Sequence, residues 1–106
     1  MPKYLVRASL TSEGVNGVLK EGGSRRREAV TALAESVGGS LDAFYFAFGD
    51  DDVYAILDLP DSVSAAAASL TVSGSGIVRS NVVVLLTPEE VDEAAKKTVT
   101  YRAPGA

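Results

Sequence analysis

The segment Phe44–Asp58 constrains the fold of this chain more than any other part of the sequence. It carries five of the seven aromatic residues, and apolar residues alternate with other residues on both sides of the acidic run Asp50–Asp52. Alternation of this kind predicts two antiparallel strands, over 41–48 and 52–59, joined by a short turn. In such a hairpin one face packs against the core and the other is left free.

The length of the turn decides which side chains of the hairpin share a face. A loop of two or four residues around Gly49–Asp52 places Phe48 opposite Val53, Phe46 opposite Ala55 and Phe44 opposite Leu57. Directly opposed residues share a face. We therefore expect one wholly apolar face, with all three phenylalanines under the helices. The other face is amphipathic.

The remaining sequence supplies two further strands and several helices, each recognised by its periodicity and end signals. In chain order the segments are a strand over 3–10, helical spacing over 15–37 with a kink or break at Gly22-Gly23, the hairpin, a helix capped by Asp61 or Ser62, a strand over 77–86 and a capped helix from Thr87 to Lys97. The order β-α-β-β-α-β predicts an α+β fold of the ferredoxin-like kind, with a four-stranded antiparallel sheet, both main helices on one face and an extra C-terminal helix. We expect one domain over residues 1–97, followed by a tail over 98–106.

Composition narrows the range of functions. The chain has 106 residues, a net charge of −4, no histidine and no cysteine. An acidic chain argues against a nucleic-acid partner, and the missing residue types remove the commonest transition-metal and haem ligands. We therefore expect no metal and no cofactor. The apolar runs are too short to span a membrane and the first residues do not resemble a signal peptide, which predicts a cytoplasmic protein without a membrane partner.

The free face of the predicted sheet holds the candidate site. We expect its polar members to be Arg7, Ser9, Tyr45, Tyr54, Asp58, Arg79 and Asn81. The apolar residues between them make this face too hydrophobic to stay bare, so we expect a homo-oligomer, a dimer or larger, in which two such faces meet. Polar points in an otherwise apolar cavity are typical of a small-molecule site. The alternative is an interface whose ion pairs are satisfied without any ligand.

Two charged runs have competing interpretations. Asp50–Asp52 could offer oxygen ligands to a hard cation, but an acidic turn is the simpler interpretation. If a helix started at Ser24, Arg25–Arg27 would oppose its dipole. Either the helix continues through the glycines, or the arginines pair with an acidic partner or a phosphate. A solvated helix face paired with Glu21 and Glu28 is the simplest interpretation.

Several segments of the chain resemble the GYD domain family. The matching segments are Pro2-Lys3-Tyr4-Leu5-Val6, Glu13-Gly14-Val15, Leu19-Lys20-Glu21-Gly22, Leu41-Asp42-Ala43-Phe44-Tyr45-Phe46-Ala47-Phe48-Gly49, Asp52-Val53 and Leu59-Pro60-Asp61. The family usually has a tyrosine just before the aspartate that matches Asp52, and this chain has Asp51 there. The resemblance covers nearly the whole chain. It implies a small bacterial or archaeal protein of the dimeric α/β-barrel type, and it does not by itself supply a function.

Three functions fit these residues, and they leave open whether the protein is an enzyme. The first is a non-catalytic oligomeric domain that binds a small ligand or a protein partner through the sheet face. The alternative is a cofactor-independent oxygenase or isomerase acting in the inter-subunit cavity. There, Arg7 or Arg79 would stabilise an enolate or phenolate, and Asp58 or a tyrosine would transfer a proton. The third is a purely structural assembly unit. No catalytic residue is identified.

Overall fold

A computed structural model describes residues 1–106 as a four-stranded sheet with helices on one face. The elements are β1 (Lys3–Leu10), α1 (Ser12–Glu21), α2 (Gly23–Ser36), β2 (Ser40–Phe46), β3 (Val53–Asp58), α3 (Ser62–Gly74), β4 (Val78–Leu85) and α4 (Pro88–Ala95). The strands lie in the order β2-β3-β1-β4, and each neighbouring pair is antiparallel. The predicted ferredoxin-like α+β arrangement is confirmed.

Short polar side chains cap three of the helices where the sequence offers them. Asp61 accepts the backbone N–H of Ser64 at the start of α3, and this hydrogen bond holds the pKa of its carboxyl below the ordinary value of 3.8. Thr87 and Glu90 form the reciprocal capping box predicted for α4. The hydroxyl of Thr11 caps α1 in the same way by accepting the N–H of Gly14.

The helix does not continue through the glycine pair. Gly22 has a φ of 89°, a left-handed conformation that a residue with a side chain adopts only with strain, so α1 ends before it and α2 begins after it. The interpretation that Arg25–Arg27 lie in mid-helix is therefore wrong. They follow directly on the start of α2, whose first turn contains no acidic residue and whose N-cap makes no side-chain hydrogen bond. None of these arginines forms a salt bridge with Glu21 or Glu28.

The predicted hairpin register is wrong by two residues. Phe46 pairs with Val53, and Phe44 pairs with Ala55. A bulge at Asp42 then brings Leu41 opposite Leu57. A shift by two residues leaves the side chains from Ala43 onward on their predicted faces, whereas the bulge exchanges the faces of Leu41 and Asp42. The shift lengthens the loop, however, and places Phe48 in that loop with its side chain fully exposed instead of under the helices.

The acidic end of the loop bonds on both sides. The N–H of Ala47, which follows β2, donates to the carbonyl of Asp52 at 2.8 Å. The carboxylate of Asp52 accepts the N–H of Leu10 at 2.8 Å, and the N–H of Asp52 donates to the carbonyl of Ala8 at 2.8 Å. The polar groups of Asp52 therefore bond the end of β1 and the residue that follows β2. The acidic run serves as a structural turn here.

The core lies between the sheet and the helices and is built largely from small residues. The buried apolar residues are Tyr4, Ala8, Ala34, Val53, Ala55, Leu57, Leu59, Ala65, Ala68 and Val78. The core consists of two clusters, one around Leu57 and one around Val53, and Phe44 packs on both. The rings of Phe44 and Phe46 meet edge to face, with 5.3 Å between their centroids. Helix α2 packs on β2 at one edge of the sheet, and α3 packs on β4 at the other edge. The two central strands, β3 and β1, therefore lie between the helices.

The C-terminal segment projects from this domain. Every residue from Leu86 to Ala106 is exposed, including all of α4. The molecule accordingly measures 57 × 32 × 23 Å. None of its helices has the length and apolar character needed to cross a membrane.

Candidate functional site

The face of the sheet opposite the helices carries all seven candidate residues. Because the strands are in register, its side chains form rows that cross the sheet. One row reads Tyr45–Tyr54–Arg7–Asn81, the next Ala43–Ile56–Leu5–Val83, and the third Ser40–Asp58–Lys3–Leu85. Ser9 and Arg79 are paired beyond the first row. We call this surface the free face.

The second row makes the middle of the free face apolar across all four strands. Ala43, Ile56 and Leu5 are half-buried among their neighbours, and Val83 is 38% exposed. No helix or loop of the chain covers this row, since the helices lie on the other side. An apolar row across a sheet, flanked by polar rows, is a typical arrangement for a surface that meets another protein.

Tyrosines and arginines line one side of this apolar row. Tyr45 is 70% exposed and Tyr54 is 37% exposed, and Tyr54 pairs directly with Arg7. Neither Arg7 nor Arg79 forms a salt bridge within the chain. Both guanidinium groups are therefore free to bind a carboxylate or phosphate supplied from outside.

Asp58 lies on the other side of the row and is paired with a lysine. Its Oδ1 accepts a hydrogen bond from Nζ of Lys3 at 3.0 Å, and Lys3 also bonds the carboxylate of Asp42. The bonds to Asp42 and Asp58 raise the pKa of the Lys3 ammonium above its ordinary value of 10.5. Asp58 is thus engaged by Lys3, across the apolar row from Arg7 and Arg79.

Ser9 and the acidic loop form a separate polar group at the rim. The Ser9 hydroxyl lies 3.4 Å from the carbonyl oxygen of Asp50 and 3.4 Å from Oδ1 of Asp51. No group of three or more carboxylates or other ligating side chains converges closely enough to hold a metal ion. The seven candidate residues therefore lie in three separate places on the free face. The first row brings together four of them, Tyr45, Tyr54, Arg7 and Asn81; Ser9 and Arg79 lie beyond it, and Asp58 lies across the apolar row.

Two residues of this surface were missed in the sequence. Neither Lys3 nor Asp42 is among the predicted candidates, and regular alternation along β2 would place Asp42 under the helices. The bulge at Asp42 redirects its side chain toward Lys3. A bulge depends on the register of two strands, so the only available signal was the unusual charge of Asp42 in an apolar strand.

The strand order and the single helical layer define the class of protein, an α+β domain of the ferredoxin-like kind. Within that class, the family model of the GYD domain matches residues 4–95, which extend from β1 to the end of α4. The chain therefore belongs to the GYD domain family. Comparison with curated proteins gives no match, and neither does comparison with solved structures.

Proposed function

We propose that this protein is an oligomeric α/β-barrel protein whose free face meets the same face of a second copy. In this proposal the paired faces bind a small ligand or a protein partner without catalysis. The observation that carries it is the apolar row Ala43–Ile56–Leu5–Val83, which crosses all four strands and has no cover within the chain. Two such sheets stacked face to face bury these rows against each other.

The projecting C-terminal segment supports association independently. Its large apolar side chains are exposed, with Leu86 at 59%, Val91 at 51% and Tyr101 at 76%. A helix as short as α4 is marginal in water without tertiary contacts. Packing of this segment on a second copy would cover these side chains and stabilise the helix.

The polar rows support the ligand part of the proposal. Arg7 and Arg79 have no carboxylate partner in the chain, whereas Asp58 is held by Lys3. The two arginines would attract an anionic ligand into the space between the sheets, with Tyr45 and Tyr54 beside it. A non-catalytic role fits because the chain has no histidine or cysteine and its one candidate carboxylate is engaged.

Sedimentation velocity of the full chain at micromolar concentration tests the association. We expect a dimer or larger species, and we expect Val83→Lys to convert it to a monomer by placing a charge in the apolar row. Val84→Lys is the matched control, because Val84 is the next residue, is 59% exposed and points to the other side of the sheet. A monomeric parent protein, or equal effects of the two lysines, would contradict the proposal.

The ligand part has its own test. A thermal-shift screen with small carboxylic acids and phosphate esters should give stabilisation that is lost in the variant Arg7→Ala/Arg79→Ala. If a compound still protects this variant to the same extent, the two arginines do not hold the ligand.

A further inference from the structure

A cavity lies on the opposite side of the sheet from the free face. It occupies the space between α2 and α3 above the two central strands and has a volume of about 300 Å³. Its floor includes Val6 and Ala55, and its walls include Leu33 of α2 and Val72 of α3. We call this space the helix cleft. Its volume reaches the range of small-molecule pockets, about 300–1,000 Å³.

The helix cleft is open because small residues face the sheet from α3 and the two helices pack on opposite edges of the sheet. Ala65 and Ala68 face the sheet from α3, and Ala34 is the one buried residue of α2. Apolar surface left in contact with water in this way favours an apolar occupant.

A buried hydroxyl at one end of the cleft lacks a partner. Ser80 lies on the helix side of β4, opposite Ala8, and lines the cleft. Its Oγ is buried and makes no hydrogen bond within the protein. Most buried polar atoms are hydrogen-bonded, so this orphan hydroxyl is a group that an occupant of the cleft could satisfy if rotation about the Ser80 Cα–Cβ bond turned it toward the cavity.

An unpaired arginine borders the same end. Arg26 is half-buried, unlike the exposed Arg25 and Arg27, and lines both the cleft and the groove next to it. Glu13 borders that groove, yet no carboxylate forms a salt bridge with Arg26. The groove also includes Val78, which lies two residues from Ser80 on the same face of β4, so Arg26 and Ser80 mark one polar end.

The opposite end of the cleft is apolar. Leu57, Leu59 and Ala65 form it. Along β3, Val53 and Leu57 are four residues apart, so the distance from the polar to the apolar end is roughly 13 Å. The cleft is therefore polarised along its length.

We propose that the helix cleft binds a monoanionic amphiphile, a carboxylic acid with an unbranched apolar chain. The carboxylate accepts hydrogen bonds from the guanidinium of Arg26 and the hydroxyl of Ser80, and the chain extends over β1 and β3 toward Leu57. A negative charge at this position also complements the positive end of α2, where the sequence supplies arginines instead of acids. This site is separate from the free face, so the proposal of ligand binding in the cleft does not depend on the proposed association.

Calorimetric titration of the full chain with octanoate, decanoate and dodecanoate, each below its micelle concentration, tests the site. We expect affinity to rise about fourfold for each added methylene as apolar surface is buried. We expect methyl decanoate, which lacks the charge, to bind at least about tenfold more weakly than decanoate. Absence of decanoate binding, or equal binding of the ester, would overturn the proposal.

Matched variants locate the carboxylate. Arg26→Gln should weaken decanoate binding about tenfold, while Arg27→Gln, an exposed neighbour on the same helix, should leave it unchanged. Ser80→Ala should weaken binding about fivefold and yet raise the thermal midpoint of the free protein, because it removes an unsatisfied buried hydroxyl. A purely structural role of Ser80 would not separate these two readouts. Equal losses in the two arginine variants would overturn the assignment.

Methyl NMR distinguishes the cleft from other binding places. Decanoate should shift the methyl signals of Leu33, Val72 and Val82 in the cleft, and not those of Leu5, Ile56 and Val83 on the free face. The reverse pattern would overturn the proposal. So would loss of decanoate binding on deletion of residues 87–106, since that would place the probe on the acidic α4 segment. Contacts between Val91 and the cleft methyls in the free protein would likewise overturn it, by showing that a chain segment is the occupant.

Discussion

Gly39, where the chain passes from α2 into β2, allows a close approach of two backbone segments. A Cβ atom at this position would lie 2.1 Å from the carbonyl oxygen of Asp58 and 2.7 Å from Cδ2 of Leu59. In the sequence, Gly38-Gly39 directly follows the helical spacing that ends at residue 37, and α2 does end at Ser36. The close approach was not predictable, because it depends on how β2 pairs with the end of β3.

Substitution of Gly39 should be costly for this steric reason. We expect Gly39→Ala to lower the free energy of unfolding by about 2–4 kcal/mol, since the backbone on the other side must move. Gly17→Ala is the control. Gly17 lies within α1 with nothing near its Cβ position, so alanine there should raise stability by about 0.5–1 kcal/mol. Urea unfolding measures both, and a neutral Gly39→Ala would contradict the close approach.

At the scale of elements, the alternation in the hairpin predicted the faces correctly from Ala43 onward and the register incorrectly. Side chains alternate with a period of two, so any even shift preserves the faces. The sequence contained no indication that Asp52 would bind the end of β1. Phe44 and Phe46 consequently remain on the helix side, whereas Phe48 does not.

Two phenylalanine substitutions test the corrected register. Phe44→Ala should lower the free energy of unfolding by about 2–4 kcal/mol, because its ring packs on both parts of the core. Phe48→Ala should change it by less than about 0.5 kcal/mol, because its side chain is exposed. Chemical denaturation of both variants gives the comparison. Similar losses would favour the shorter loop and the original register.

The whole molecule exposes more surface than a compact monomer of its size. Its accessible area is 7394 Å², whereas a compact monomer of this mass exposes roughly 5,600 Å². Its radius of gyration is 16.8 Å, against about 13 Å for a compact domain of this length. The open helix cleft, the uncovered free face and the projecting C-terminal segment all contribute to this excess.

Hydrogen exchange of the C-terminal segment tests whether this surface becomes covered. In the Val83→Lys variant, amides of α4 should exchange nearly as fast as in an unfolded peptide, because a short isolated helix does not persist. In the parent protein at high concentration they should be protected by contacts with a second copy. Mass spectrometry of peptides from residues 86–106 measures this. Equal exchange in both proteins would show that the segment does not dock.

The sequence by itself determined the element order, the helix caps, the family and the face of the sheet on which most strand residues lie. These properties follow from local periodicity and short-range hydrogen bonds, which depend only on residues close together in the chain. Only the tertiary structure decided the hairpin register, the pairing of Lys3 with Asp58 and Asp42, and the separation of α2 from α3 that opens the helix cleft. Each of these depends on contacts between residues far apart in the chain, and no local pattern encodes those contacts.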